Sequence, residues 1–276
     1  MAILDLHDTG GYLHFDRARC VAEGEKRAEQ YQNAAPFPHI VMDDFLDKGV
    51  LESLIAEFPD RDGRTYFDRP QERFKYQFDP NTVASGRVRN LLAELNGEPF
   101  LAFLSAMTGI ENLISDPYYT GGGLHETLSG GHLSVHADFN VHKEMKVERR
   151  LNLLIYLNPD WPTEYGGQLE LWDKKMRKAA TSVDPVLGRA VIFSTTLQSF
   201  HGQPEPVTCP PDRSRRSIAT YYYTAFPAEA KVPKRTTTFQ TRPGTGDQTD
   251  WHVRLNHLIS DWVPPRLQNV ARRLVP

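Results

Sequence analysis

The sequence predicts a mainly β protein, a sandwich or barrel of short strands, with helices packed outside it. Three observations lead there. Between about residues 110 and 226, short runs rich in β-branched and aromatic residues are separated by Gly, Pro and Asp turn signals. Before residue 110 the apolar residues recur mainly at helical spacing. Beyond residue 226 a single further stretch carries a helical stripe. The 276 residues are ample for one core. The chain is read as one domain, 1–276, with a helical part to about 110, a β core at about 111–226 and a C-terminal extension at about 227–276.

In the helical part, "LDKGVLESLIAEF" places Val50, Leu51, Leu54, Ile55 and Phe58 on one face, and Asp43, Asp44 or Asp47 can cap its start. "VRNLLAELNGEPFLAFLSAMTG" reads as two helices broken at Asn96-Gly97, the second ending at Gly109. Between these segments, "RDGRTYFDRPQERFKYQFDP" is charged, aromatic and aperiodic, fitting a binding loop or a pair of edge strands. The strand candidates are "HLSVHADF", "RRLNLLIYLN", "GGQLELWD", "GRAVIFST", "FHGQPEPV" and "RRSIATYYYT". In "DWHVRLNHLISDWV", Trp251, Leu255, Leu258, Ile259 and Trp262 form a stripe suited to docking on the domain or to a homodimer contact through this C-terminal helix.

Composition excludes several classes. With 32 Lys and Arg against 35 Asp and Glu, the net charge is −3. No basic excess points to nucleic acid or an anionic membrane. Two cysteines, Cys20 and Cys209, make no disulfide framework and no CxxC site. The opening "MAILDLHDTGGYLHF" has no basic n-region and no long apolar run, so no signal peptide is expected. The longest apolar run, around "LNLLIYL", is too short to span a bilayer. These absences make a cytoplasmic location the expectation.

The chemistry concentrates in "GGHLSVHADFN", residues 130–140. Strict alternation puts Ser134, His136 and Asp138 on one face and Leu133, Val135, Ala137 and Phe139 on the other. An imidazole and a carboxylate two residues apart can be two arms of a metal site. His201 in "SFHGQP" is the candidate third arm, from another strand. Two imidazoles and one carboxylate on one side of an ion leave positions open for O2 and a bidentate cosubstrate, the facial triad of non-haem Fe(II) chemistry. His-x-Asp alone is a weak signal, which a hydrogen-bonded core histidine and a strand-end carboxylate fit equally well.

A second constellation follows. In "RRSIATYYYT" alternation puts Arg215, Ser217, Ala219, Tyr221 and Tyr223 on one face, with Arg216, Ile218, Thr220 and Tyr222 opposite. Small residues beside Arg215 leave room for a carboxylate, which a guanidinium binds through two parallel hydrogen bonds. An edge-strand surface arginine fits as well. In "RRLNLLIYLN", Asn152, Leu154 and Tyr156 share a face, and Tyr156 can offer its hydroxyl to the same carboxylate or sit in the core. His132, four residues before His136 and on its face by alternation, lacks the Glu of HExxH. His125 and His142 fall in expected loops where they can touch substrate.

The order HxD, "RLNLLIYLN", "YGGQLELW", "VDPVLGRAVIF", His, "RRSIATYYY" resembles the Fe(II)/2-oxoglutarate dioxygenase superfamily, most closely its prolyl 4-hydroxylase type. "PFPHIVMDDFLD" is similar to the lead-in of that group, so the resemblance spans roughly residues 36–226. It implies a double-stranded β-helix, a jelly-roll or cupin-like core with N-terminal helices and a C-terminal helix outside. It implies His136, Asp138 and His201 as iron ligands and Arg215 as partner of the distal carboxylate of 2-oxoglutarate, assisted by Tyr156, with Ser217 and Asn152 lining the same pocket. The implied reaction couples oxidative decarboxylation of 2-oxoglutarate, to succinate and CO2, with O2-dependent hydroxylation of a C–H bond, ascorbate serving as reductant. An intact Asp138 favours hydroxylation over halogenation. The substrate is polar, a peptidyl prolyl residue or a small molecule such as a free amino acid or natural product. Open alternatives are a desaturase or cyclase of the same superfamily and a non-catalytic cupin-like binding or iron- or oxygen-sensing protein.

Overall fold

The structure, a computed structural model, describes residues 2–61, 65–226, 234–263 and 267. The N-terminal part holds β1 (Leu6–Thr9), β2 (Tyr12–Phe15), α1 (Arg17–Glu25), α2 (Ala28–Gln32), β3 (His39–Met42), α3 (Lys48–Ala56), β4 (Thr65–Arg69), β5 (Glu72–Phe78), α4 (Gly86–Leu95) and α5 (Glu98–Thr108). The core adds β6 (Ile114–Ser115), β7 (Gly123–Ala137), β8 (Glu148–Tyr156), β9 (Leu169–Trp172), β10 (Ala179–Val183), β11 (Ala190–Ser194), β12 (His201–Gln203) and β13 (Arg215–Thr224). Then come β14 (Thr238–Phe239) and α6 (Trp251–Trp262).

The helices begin and end where local chemistry says. Asp47 caps α3 by accepting from the backbone N–H of Gly49 and Val50, and the Ser85 hydroxyl caps α4 by accepting from Val88 N–H. Gly97 opens α5, and Gly109 closes it in the left-handed region at φ 72°. Helix α1 packs against α5 at Gly24, where a Cβ would lie 2.5 Å from the Phe103 carbonyl oxygen. Calling the first 110 residues mainly helical understates them: they also contribute five strands. Within the charged segment, Thr65–Arg69 and Glu72–Phe78 form the β4–β5 hairpin, and β5 adds to the main sheet by pairing with β7.

One antiparallel sheet orders the strands β10-β9-β12-β7-β13-β8-β11-β3 and curls into a nearly closed barrel of jelly-roll type, with β5 and β14 also on β7. Alternation divides its residues cleanly in the middle strands. Leu151, Leu153 and Ile155 of β8, Ile192 of β11 and Ile218 and Tyr222 of β13 face outward into the largest core, packed with Phe100, Phe103 and Leu104 of α5. Ile218 and Tyr222 are therefore buried under helices. The opposite face of the same strands, with Tyr156, Val191 and Phe193, looks into the barrel. Burying each such aliphatic or aromatic side chain stabilises the fold by roughly 1.5–3 kcal/mol.

The stripe on α6 does not dock on the domain. Ile259 is buried, but Trp251 is 71% and Trp262 82% exposed, with Leu255 and Leu258 exposed as well. The helix is tied down from its polar side, by Arg235 to Asp261 at 2.8 Å and by the Thr236 hydroxyl 3.1 Å from His257 Nε2. No helix among the described residues is long and apolar enough to cross a membrane.

Candidate active site

His136 ends β7 and His201 begins β12, and the two are direct cross-strand partners, with ring centroids 4.5 Å apart. Asp138 lies just past the end of β7. Ligand atoms of the three all lie within 4.8 Å of one another. Asp138 Oδ1 is 3.5 Å from His136 Nε2, and Oδ2 is 3.5 Å from His201 Nε2. Each imidazole is oriented by its own strand: His136 Nδ1 is 2.9 Å from the Ser134 carbonyl and His201 Nδ1 is 3.0 Å from that of Ser199. A carbonyl can only accept, so each Nδ1 carries the proton and donates it. Both Nε2 lone pairs are thereby left for a metal.

The electrostatics keep His201 and Asp138 deprotonated. Burial brings the His201 pKa down to about 4, against the opposing pull of Asp138. Burial raises the Asp138 carboxyl, but the nearby charge of Arg149, then His201 and His136, outweighs it and holds the group well below the ordinary range. Arg149 Nη2 is 3.2 Å from Asp138 Oδ2, and the Asn152 amide donates to the same oxygen at 2.8 Å. Arg149 Nε also donates to Asn152 Oδ1 at 2.9 Å, and its guanidinium lies 3.5 Å over the Tyr221 ring. Asn152 therefore turns its amide toward Asp138 and Arg149.

The triad opens on a cavity of about 310 Å³. Its far wall is built from register. Lys75 of β5, Thr127 of β7 and Arg215 of β13 stand in one cross-strand row, and Gln77, His125, Ser217 and Tyr156 stand in the next. Arg215 is buried, donates from Nε to the Gly167 carbonyl at 2.7 Å, and stands 5.0 Å over the Tyr156 ring. The Tyr156 hydroxyl is buried with no hydrogen-bond partner. Gly167 has φ +77°, and a Cβ there would lie 2.8 Å from Arg215 Cδ, which gives the "YGGQLELW" motif its physical reason. Burial lowers the His125 pKa well below the usual value, helped by Lys75 and Arg215, so His125 is neutral.

Arg216 faces the other way, as alternation requires, but its partner is the buried carboxylate of Glu126, at 3.1 Å, rather than a surface acid or solvent. Glu126 also binds Arg61 and the Ser214 hydroxyl. His132 and Ser134 are not on the His136 face. Opposite β12, β7 carries one extra residue between Leu133 and His136, so Leu133 lines the cavity while His132 and Ser134 face a separate surface pocket. His142 does not line this cavity; it lies at the wall of the neighbouring one. It is fully buried, 3.2 Å from Asp116 and 3.0 Å from the Thr120 hydroxyl. Sequence reasoning missed Glu72, Lys75 and Arg149, all cavity-lining.

The residues fit iron and 2-oxoglutarate. Two imidazoles and a carboxylate suit an octahedral ion with open positions. The buried, unpartnered Tyr156 hydroxyl beside a buried guanidinium is a place prepared for a carboxylate.

Comparison with known proteins agrees. Residues 122–223 match the family model described as the 2OG-Fe(II) oxygenase superfamily. A curated protein of Mus musculus, prolyl 3-hydroxylase OGFOD1, is 26% identical over 200 residues, 68% of this chain and 33% of its own length, so the chain spans about a third of that relative. A prolyl hydroxylase from Trichoplax adhaerens, solved with a hypoxia inducible factor oxygen degradation domain peptide fragment, superposes with TM-score 0.54 at 15% identity over 75% of this chain and 91% of its own. A Pseudomonas putida prolyl-4-hydroxylase gives TM-score 0.51 at 20% identity over 74% of this chain and 100% of its own. These two likenesses speak for the fold. The β core that carries the triad, residues 122–223, thus matches the model of the 2OG-Fe(II) oxygenase superfamily, on a fold like that of the prolyl hydroxylases.

Proposed function

We propose that the protein is an Fe(II)- and 2-oxoglutarate-dependent hydroxylase that oxidises a C–H bond of a prolyl or similarly placed residue in a peptide. The reading rests on one observation: two imidazoles and a carboxylate converge on a cavity whose opposite wall offers a buried arginine and an unpartnered tyrosine hydroxyl. A peptidyl prolyl substrate is the one named for the mouse relative. In this reading His136, Asp138 and His201 hold iron. Arg215 forks onto the distal carboxylate of 2-oxoglutarate, and the Tyr156 and Ser217 hydroxyls donate to it. The bound iron, 2-oxoglutarate and O2 supply the oxidation, leaving succinate, CO2 and a hydroxylated product.

The chain's own work is orientation. Arg149 and Asn152 pin Asp138 Oδ2, so the carboxylate would be held in place to ligate the iron. The apolar side chains of Leu133, Leu154, Leu169 and Phe193 form part of the cavity wall, and lower polarity around Arg215 strengthens its pairing. The test is succinate release from prolyl peptides with Fe(II), 2-oxoglutarate, O2 and ascorbate. Single His136→Ala, Asp138→Ala and His201→Ala variants should fold yet lose metal binding and turnover together. Turnover that persists without O2, or full turnover in any of the three variants, would sink the reading.

A further inference from the structure

A second cavity, of about 820 Å³, adjoins the first; Arg69, Thr120, Phe139, Thr237 and Phe239 line both. Phe239 of β14 is the cross-strand partner of His136, so the junction lies next to the metal triad. One wall of the second cavity is the 139–147 loop, and the other is α6 with the strand segment that precedes it. The 122–223 core supplies only the first wall; α6 and residues 234–239 lie outside the part that matches the superfamily.

The lining is strongly basic. It holds Arg69, Lys143, Lys146, Lys234 and Arg235, against the single carboxylate of Asp250. Asp250 caps α6 by accepting from Val253 N–H. Arg69 is already paired with Glu72, and Arg235 with Asp261. Lys143, Lys146 and Lys234 make no ion pair with a carboxylate among the described residues, although the Lys146 ammonium donates to the Lys143 carbonyl. The two loop lysines are also held in place. Buried His142 accepts at Nδ1 from the N–H groups of Glu144 and Met145, and the loop is closed by Lys146 N–H to the His142 carbonyl and His142 N–H to the Val147 carbonyl. A fixed backbone lowers the ordering cost of any contact made there. Beneath the cationic rim lie Phe139, Val141 and Val253. The volume is at the upper end for ligand pockets, more than one side chain fills.

We propose that this cavity receives an acidic segment of the substrate peptide, flanking the residue that is oxidised in the first cavity. The inference rests on the hydroxylase reading above and adds the substrate's charge to it. Lys143, Lys146 and Lys234 meet carboxylate side chains of the peptide, and α6 is the wall that holds the segment against them. Each exposed pair contributes modestly, about two- to three-fold in affinity, so three together contribute roughly ten-fold.

The experiment uses the full chain loaded with Mn(II) and 2-oxoglutarate and two labelled peptides of equal length around one proline, one flanked by glutamates and one by lysines. Fluorescence anisotropy should show the acidic peptide binding roughly ten-fold more tightly at low salt. The gap should narrow as salt rises. The Lys143→Glu/Lys146→Glu/Lys234→Glu variant should reverse the preference while its affinity for 2-oxoglutarate, measured by titration, stays that of the parent. Equal binding of the two peptides, a preference that survives in the triple variant, or no binding of either by a protein that still binds 2-oxoglutarate would each overturn the inference. Failure of the parent protein to bind 2-oxoglutarate would instead strike the hydroxylase reading.

Discussion

Arg215 and Arg216 are adjacent, chemically identical and opposite in consequence. Arg215 is buried in the cavity beside the unpartnered Tyr156 hydroxyl, and Arg216 reaches Glu126 on the outer face. Truncating one partner of a buried charge pair costs roughly 2–5 kcal/mol, on the order of 30- to 5,000-fold in affinity. Arg215→Ala should therefore weaken 2-oxoglutarate binding by that order. Arg215→Lys should recover part of it, keeping the charge but not the fork. Arg216→Ala should leave cosubstrate binding within a few-fold and lower thermal stability instead, because Glu126 loses one of its partners in a buried place. Titrations of succinate release and melting curves on the three variants decide it. A severe cosubstrate defect in Arg216→Ala would reverse the assignment. The orientation of these two residues was legible from alternation alone. The identity of Arg216's partner was not, because Glu126 lies 90 positions away and only the β7–β13 pairing brings it near.

At the level of elements, what stayed hidden in the sequence shares one physical cause. A residue count of two predicts which face a strand residue takes only while the ladder is regular. Opposite β13, β8 carries one extra residue, Arg150, between Leu151 and Arg149. That step turns Arg149 into the cavity, against the parity set by Asn152. In β5, Phe74 sits at φ 49°, and this kink lets Glu72 and Lys75, an odd number of positions apart, both face inward. The extra residue in β7 removes Ser134 from the site in the same way. Helices α3 to α5 were legible because their spacing and end signals are local: Asp47 and Gly109 act within a few residues of themselves, while the Ser85 cap and α1 and α2 were not singled out. Two expectations follow for the irregular positions. Phe74→Val should destabilise by about 1–3 kcal/mol, because a β-branched residue resists positive φ, whereas Phe74→Gly should spare the hairpin that strain. Gly167→Ala should displace Arg215 as well as strain its own turn, so it should raise the half-saturating 2-oxoglutarate concentration several-fold or more. A melting temperature and cosubstrate affinity both equal to the parent's would show that the turn yields freely.

For the whole molecule the barrel's burial of its own metal ligands sets a pH dependence. His201 has its pKa lowered to about 4 in the folded state, against about 6.5 when exposed. Between those values the unfolded chain binds a proton that the native protein does not. Stability of the metal-free protein therefore falls as pH drops from about 6.5 toward 4 and is level, for this group, above that window. At pH 5 the loss from His201 alone is about 2 kcal/mol, and His125, lowered in the same direction by burial, adds to it. Asp138 works at the other end: its depressed pKa adds stability that is lost only in stronger acid. Urea unfolding of the metal-free protein at pH 7 and pH 5 measures this directly, and His201→Gln should flatten the difference. The same depression means that His201 and Asp138 have no proton to give up to an incoming ion at neutral pH. Calorimetry of Mn(II) binding in buffers of different ionisation enthalpy should then find close to zero protons released from these two groups at pH 7, with competition from protons appearing only below about pH 5. Stability that is flat from pH 7 to 5, together with release of a full proton on metal binding at neutral pH, would mean that His201 is solvated and charged in the native protein rather than buried.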